Sequence, residues 1–136
     1  GLTNGARSAS MAAYVEPQGA YGVVCNSKIG LETIRDIKNA VEIPVVYTVI
    51  SEKMDITAYL EAGVDFVNVS GAAKTPQIVA VLRERHPELP IIATGGPTEE
   101  SILATIRAGA NAITYTPPSN AELFAETMAK NRSELE

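Results

Sequence analysis

Glycines recur at a nearly constant spacing along this chain, and their period restricts the folds open to it. Gly19, Gly63 and Gly109 are 44 and 46 residues apart, and short apolar runs follow them at residues 20–24, 66–69 and 112–115. Two further apolar runs begin at residues 45 and 91, each directly after a proline and again 46 residues apart. A fixed period of this length indicates stacked copies of one supersecondary unit.

The apolar runs predict strands, and the segments between them predict helices. The runs are rich in Val and Ile and do not alternate with polar residues, as in parallel strands buried on both faces. Gly63 and Gly109 stand where a left-handed residue ends a helix, and Thr98 stands where an N-cap begins one. Residues 9–15 predict a leading helix, and residues 119–122 resemble a capping box. The apolar stripes of the helices are Leu31, Ile34 and Ile37; Ile56, Tyr59 and Leu60; Ile78, Val79 and Leu82; Ile102, Leu103 and Ile106; and Leu123, Phe124 and Met128.

This order predicts one α/β domain over residues 1–136, a helix followed by five βα units of about 23 residues each. Strands that alternate with amphipathic helices form a parallel sheet with right-handed crossovers. Two architectures have this pattern. An open doubly wound sheet needs no more than five strands, whereas a TIM (β/α)8 barrel has eight strands and about 250 residues.

Composition excludes several classes of protein. The chain of 136 residues is 46% hydrophobic, carries a formal net charge of −5 and has no basic cluster, so neither nucleic acid nor an anionic membrane is an expected partner. The single cysteine, Cys25, and the absence of a signal-like start fit a cytoplasmic location. His86 is the only histidine. We therefore expect no metal site, no bound cofactor and no histidine-based catalytic triad.

Two segments near the end of the chain resemble known barrels. Residues 91–100 read Ile-Ile-Ala-Thr-Gly-Gly-Pro-Thr-Glu-Glu, and residues 106–113 read Ile-Arg-Ala-Gly-Ala-Asn-Ala-Ile. The pattern is similar to the last two units of the phosphate-binding β/α barrels, which include inosine monophosphate dehydrogenase, thiazole synthase and 2-keto-3-deoxy-6-phosphogluconate aldolase. In those barrels a strand ends in a Gly-Gly pair, a helix follows, and Ala-Gly-Ala leads into the eighth strand.

A resemblance to an uncharacterised bacterial barrel family, usually labelled "hydrolase", covers nearly the whole chain. It is carried by residues 43–46 (Ile-Pro-Val-Val), 68–70 (Asn-Val-Ser), 72–75 (Ala-Ala-Lys-Thr), 91–100, 111–114 (Asn-Ala-Ile-Thr) and 117–119 (Pro-Pro-Ser). The resemblance implies that the chain forms strands four to eight of a barrel, with three βα units preceding Gly1. Because five barrel strands leave two unpaired edges, we expect self-association or pairing with a missing N-terminal segment.

In such barrels the active site lies at the carboxyl ends of the strands. Lys74, just after the third apolar strand, could neutralise an anion or act as an amine nucleophile. Asn68 and Ser70 share one face of that strand and could orient a ligand. We therefore name Lys74, Asn68 and Ser70 as candidate catalytic residues, although a solvated lysine and satisfied polar fillers are the structural alternatives.

The Gly-Gly pair is the candidate phosphate site. Gly95 and Gly96 would let the backbone approach an anion at a helix start, and Thr94, Thr116 and Ser119 are the further candidate ligand-binding residues. The alternative is a tight turn that needs glycine for its dihedral angles. Glu99 and Glu100 at the helix start, and Pro117 and Pro118 where phosphate barrels usually have glycine, count against phosphate.

The expected function is that of an enzyme. We expect a hydrolase, lyase or isomerase that acts on a small phosphorylated or carboxylated metabolite at the carboxyl ends of the strands. A non-catalytic ligand-binding or regulatory barrel is the alternative, because the sequence shows no evident acid-base pair.

Overall fold

The computed structural model describes residues 1–115 and 120–135, the side chains of residues 134 and 135 excepted. Its elements follow the predicted order of a leading helix and alternating strands and helices. In chain order they are α1 (Arg7–Val15), β1 (Val23–Cys25), α2 (Leu31–Ala40), β2 (Val45–Val49), α3 (Thr57–Ala62), β3 (Phe66–Val69), a 3-10 turn (Ala72–Lys74), α4 (Thr75–Arg85), β4 (Ile91–Thr94), α5 (Glu99–Arg107), β5 (Ala112–Thr114) and α6 (Asn120–Leu135). The capping box expected at residues 119–122 includes Ser119, which lies outside the described residues.

The five strands are parallel and lie in the order β1-β2-β3-β4-β5. Each strand pairs with its predecessor along the chain, so the sheet grows in one direction only. A doubly wound sheet reverses its strand order at a switch point. With right-handed crossovers, an order without reversal places every connecting helix on the same face. The architecture is therefore that of part of a TIM barrel, and the open doubly wound alternative is excluded.

The two faces of the sheet have different environments. One face lies under the helices and forms the core with apolar side chains of α2 and α4, including Ile34, Ile37, Ile78 and Leu82. The strand residues of this outer face are buried in β1 to β4, whereas Ile113 of β5 is half-buried. The buried ones are Val23, Cys25, Val45, Tyr47, Val49, Val67, Val69, Ile91 and Ala93. The opposite face, which we call the inner face, carries Val24, Val46, Thr48, Phe66, Asn68, Ile92, Thr94, Ala112 and Thr114. Of these only Val46 is buried.

The glycine period of the sequence is a repeat of helix endings. Gly19, Gly63 and Gly109 have φ values of 101°, 122° and 117°, in the region that side chains with a Cβ rarely adopt. At all three sites the glycine N–H bonds to the carbonyl three residues earlier, and the next N–H bonds to the carbonyl five residues earlier. This pair of hydrogen bonds is the Schellman motif. The same turn therefore directs the chain from helix to strand three times.

A second repeat ties the starts of the strands together. The carboxylate of Asp65, directly before β3, accepts the Val45 N–H at 2.8 Å and pairs with the Lys38 ammonium at 2.8 Å. At the same place before β5, the Asn111 Oδ1 accepts the Ile91 N–H at 2.9 Å and an Arg83 N–H at 2.7 Å. Each side chain thus holds the first residue of the neighbouring strand and a cation on the helix that precedes that strand.

Two substitutions of Asp65 separate the contribution of its hydrogen bond from that of its ion pair. Asp65→Ala removes the acceptor of the Val45 N–H and should lower the free energy of unfolding by about 1–3 kcal/mol. Asp65→Asn keeps an acceptor oxygen, as Asn111 does, and loses only a half-exposed ion pair, so its effect should stay below about 1 kcal/mol. Urea unfolding followed by circular dichroism measures both. Equal losses in the two variants would mean that the ion pair, not the hydrogen bond to the strand, carries the stabilisation.

Both ends of the sheet have apolar neighbours that remain exposed. Beyond β1, Leu2 forms a parallel bridge with Cys25, donating to Val24 O and accepting the Asn26 N–H, both at 2.7 Å. Beyond β5 the described residues provide no strand. Four large apolar side chains next to the two ends are 40–69% exposed: Met11 and Tyr14 on α1, and Leu103 and Ile106 on α5.

We propose on this basis that further βα units, or a second copy of the chain, cover both ends. An exposed strand edge combined with exposed apolar helix faces favours association. Light scattering on the purified chain should therefore give a mass above that of one chain, and addition of a polypeptide with the complementary βα units should shift it. A monomer that stays in solution at high concentration would contradict this expectation.

Candidate functional site

The carboxyl end of the inner face is polar, in contrast to its apolar start. Thr48 lies beside Asn68 in the register of β2 and β3, and Thr94 lies beside Thr114 in that of β4 and β5. Ser70 follows directly after β3. We call these five residues the polar rim. Asn68 and Thr48 are half-buried and the others are exposed. None of the five side chains has a hydrogen-bond partner within residues 1–115 and 120–135, so all five remain available to a ligand.

A pocket of about 430 Å³ opens next to this rim, between the 3-10 turn and the loop from β4 to α5. We call it the β4 pocket. It is lined by Ala72, Ala73, Thr75, Pro76, Thr94, Gly95, Gly96, Pro97, Thr98, Ser101 and Thr105. A volume of this size is within the range of small-molecule sites.

The structure brings some of the sequence-predicted residues together and separates others. Thr94, Gly95 and Gly96 line the β4 pocket, whereas Asn68 and Ser70 belong to the polar rim beside it. Lys74 ends the 3-10 turn and is exposed, flanking the pocket without lining it. Lys28 and Lys53, at other strand ends, are exposed as well. Thr116 and Ser119, together with Pro117 and Pro118, lie outside the described residues.

Packing and backbone geometry account for both glycines of the Gly-Gly pair. A Cβ on Gly95 would lie 2.5 Å from Ile113 Cγ2 and 2.9 Å from Ile102 Cγ1. Gly96 has a φ of 78°, where a side chain is strained. The Gly95 N–H is already used, donating to Thr114 O at 2.8 Å. The turn therefore needs both glycines whether or not an anion binds there.

A double-mutant cycle tests this account of Gly95. Gly95→Ala should lower the free energy of unfolding by about 1–3 kcal/mol, because its methyl group collides with Ile113. The same substitution in an Ile113→Ala background should be less damaging, since one of the two colliding groups is gone. Thermal unfolding of the four proteins gives the coupling. Additive effects would mean that Gly95 is not held by this contact.

The N-terminus of α5 is capped by the side chains of Thr98 and Ser101. Thr98 Oγ1 accepts the Ser101 N–H at 3.1 Å, and Ser101 Oγ accepts the Thr98 N–H at 3.2 Å. The predicted N-cap is confirmed, but its reciprocal partner Ser101 was not identified from the sequence. The spacing of two hydroxyl residues three positions apart was the available signal. The capping box uses two N–H groups that an anion at this helix start would need, and Glu99 and Glu100 in the first turn repel it further.

The opposite wall of the pocket was also missed. Thr75 is 1% exposed, and its Oγ1 accepts the Gly71 N–H at 2.9 Å, which fixes the 3-10 turn against α4. A Cβ on Gly71 would lie 2.3 Å from Ile78 Cδ1, and Ala72 adopts a φ of 52°. The run of small residues at 71–73 was the available signal for a close approach of this loop, but it does not show what the loop encloses.

Cys25 and His86, two titratable residues that the sequence analysis considered, lie where they serve the packing of the fold. Cys25 is fully buried, and burial raises the pKa of its thiol to about 11, with the positive N-terminus opposing the shift. The interpretation of Cys25 as a buried small apolar residue is confirmed. His86 is the C-cap residue that follows α4, and its backbone N–H donates to Leu82 O. Within the described residues, no three His, Cys, Asp or Glu side chains come together as metal ligands.

The buried thiol predicts both reactivity and pH dependence. At pH 8 a thiol reagent should label Cys25 slowly in the folded chain and rapidly in guanidinium, because only the thiolate reacts. The folded pKa of about 11 exceeds the ordinary value of 9.0, so this burial stabilises the fold below pH 9. The stabilisation is lost as the pH rises through 11.

Cys25→Ala is the control for this pH dependence. The variant should lose the part of the alkaline decline that belongs to the thiol. The variant keeps the part of the alkaline decline that is due to Tyr47, because burial also raises the pKa of the Tyr47 hydroxyl. Equal labelling rates in the folded and unfolded chain would contradict a buried thiol.

Comparison with known proteins gives independent support for the fold. No protein-family model matches the sequence, and no curated protein matches it. Among solved structures, one of mandelate oxidase has a TM-score of 0.62 at 14% identity, covering 80% of this chain and 45% of its own. A native KDPGal structure has a TM-score of 0.62 at 22% identity, covering 80% and 52%.

These neighbours are enzymes with TIM-barrel folds, and this chain spans about half of their length. At such identities the likeness shows the fold alone. The chain is therefore part of a TIM barrel, as its strand order also shows. In the described residues, no helix has the length and apolar character that crossing a membrane requires.

Proposed function

We propose that this chain forms part of a TIM-barrel enzyme acting on a small phosphorylated or carboxylated metabolite, with hydrolase, lyase or isomerase chemistry. The observation that carries the proposal is the polar rim. Its side chains lie at the carboxyl ends of barrel strands, without partners in the described part of the chain, and one of them, Thr94, lines a pocket of ligand size. In TIM-barrel enzymes this end of the strands is where chemistry occurs.

The candidate residues take different roles. Asn68 can both donate and accept hydrogen bonds, and with Ser70 it would orient a carbonyl or hydroxyl group of the substrate. Lys74 is exposed at the rim of the pocket, and its long side chain would bring a positive charge to an anionic group.

Of the two anions, carboxylate fits this arrangement better than phosphate. A phosphate carries more charge and is usually held by several backbone N–H groups. Gly95 and Thr98 already donate theirs within the protein. A carboxylate can be held by one lysine and a hydroxyl or amide group. We therefore place the anionic group of the substrate near Lys74 rather than on the Gly-Gly turn.

A non-catalytic ligand-binding barrel is the second candidate. It is favoured by one observation: no described residue lining the β4 pocket has a titratable side chain that could act as acid or base. Such a protein would bind the same class of metabolite without turning it over. The measurement that separates the two is turnover, since binding is common to both.

Substitution of Lys74 and Asn68 tests the proposal. A panel of small carboxylated and phosphorylated metabolites is screened for binding and turnover. Lys74→Ala should then weaken the response to the active compound by about tenfold or more, because a charge pair is lost. Asn68→Ala should lower turnover more than binding. Lys28→Ala removes another exposed lysine at a strand end and should change neither. Equal effects of the two lysine variants would reject the assigned role of Lys74, and binding without turnover would favour the second candidate.

A further inference from the structure

The β4 pocket has walls without charge. One wall is formed by Ala73, Thr75 and Pro76, and the facing wall by the β4–α5 loop with Ser101 and Thr105. None of the described lining side chains carries a formal charge. An anion inside the pocket would have no counter-charge in the wall, and removing an unpaired charge from water is costly.

The hydroxyl groups of the walls are already bonded within the protein. Thr75 Oγ1 accepts the Gly71 N–H at 2.9 Å, and Thr105 Oγ1 donates to Ser101 O at 2.8 Å. Thr98 and Ser101 bond to each other through the capping box, and Ser101 Oγ also lies 2.9 Å from Gly95 O. With these atoms engaged, the walls offer a ligand chiefly methyl and methylene carbon.

Thr94 is the exception among the lining residues. It ends β4 next to Thr114 on the inner face, and its hydroxyl has no partner in the described ranges. Thr94 therefore marks the boundary between an apolar pocket and the polar rim. A molecule that crosses this boundary would place an apolar group on one side and a polar group on the other.

We infer that the β4 pocket binds an uncharged apolar group of the substrate, such as a branched alkyl chain or a ring. The polar group then lies outside the pocket, over the polar rim near Thr94 and Asn68, and an anionic group lies near Lys74, which flanks the pocket. This inference rests on the proposed function only for the placement of that second group. The apolar character of the pocket stands on its own walls, and apolar burial supplies the binding energy.

Two probes, one uncharged and apolar and one anionic, test the pocket in the 136-residue chain. Amide chemical shifts are recorded by NMR during separate titrations with 3-methylbutan-1-ol, an uncharged branched alkyl alcohol, and with inorganic phosphate. The alcohol should shift the amides of Ala73, Gly96 and Ser101 in a saturable way, and phosphate should not.

A matched pair of substitutions locates the alcohol. Ala73→Leu extends a side chain into the pocket and should weaken binding of the alcohol by about tenfold or more. Ala80→Leu makes the same change at an exposed position of α4 and should leave binding as in the unsubstituted chain. The comparison of the two probes on the unsubstituted chain decides the question even if Ala73→Leu does not fold.

Two results would overturn the inference: saturable shifts of these amides by phosphate, or equal affinity of the alcohol for the Ala73→Leu and Ala80→Leu variants. Failure of the proposed function is separate. If the alcohol binds as expected while Asn68→Ala leaves turnover unchanged, the pocket assignment stands and the assigned role of Asn68 falls. If Asn68→Ala lowers turnover while phosphate alone shifts the pocket amides, the function stands and the apolar assignment is wrong.

Discussion

The hydrogen bond from a side chain before one strand to the first N–H of its neighbour is the contact on which the arrangement of the sheet depends. Asp65 makes it to Val45, and Asn111 makes it to Ile91. In a strand, a shift of one residue turns every side chain to the opposite face. Because these two contacts fix the register at the start of β2 and β4, they also determine that Asn68 and Thr94 reach the inner face.

The same register explains why polar residues are tolerated next to a tightly packed core. Val67 and Val69 lie under the helices with no exposure, while Asn68 between them points to the uncovered side. A polar side chain at position 67 or 69 would be buried without a partner. The core therefore confines the unpartnered polar groups to one face, and the strand ends gather them at one level.

Sequence patterns predicted the elements well because each pattern had one physical reading. The helix-ending glycines and the N-cap at Thr98 follow from local chemistry within a few residues. The strands were predicted to be buried on both faces, but apart from Val46 they are buried only on the face under the helices. The Gly-Gly pair did not have one reading, since a phosphate cradle and a crowded turn both require glycine. The packing requirement becomes visible only in the distances from a Cβ on Gly95 to Ile113 and Ile102, residues on another strand and the next helix. Such contacts depend on the fold and are not visible in a short motif.

The shape of the β4 pocket also follows from contacts that serve the fold. Gly71 is small because Ile78 packs against it, and Gly95 is small because Ile113 does. Both loops are therefore drawn close to the sheet, and the short side chains that allow this leave the space between them empty. The pocket is lined by backbone and short side chains, which have few rotamers. These side chains therefore lose little conformational entropy when a ligand fills the pocket. In the binding mode that we propose, the apolar pocket supplies contact area, and the polar groups of the rim beside it discriminate between substrates.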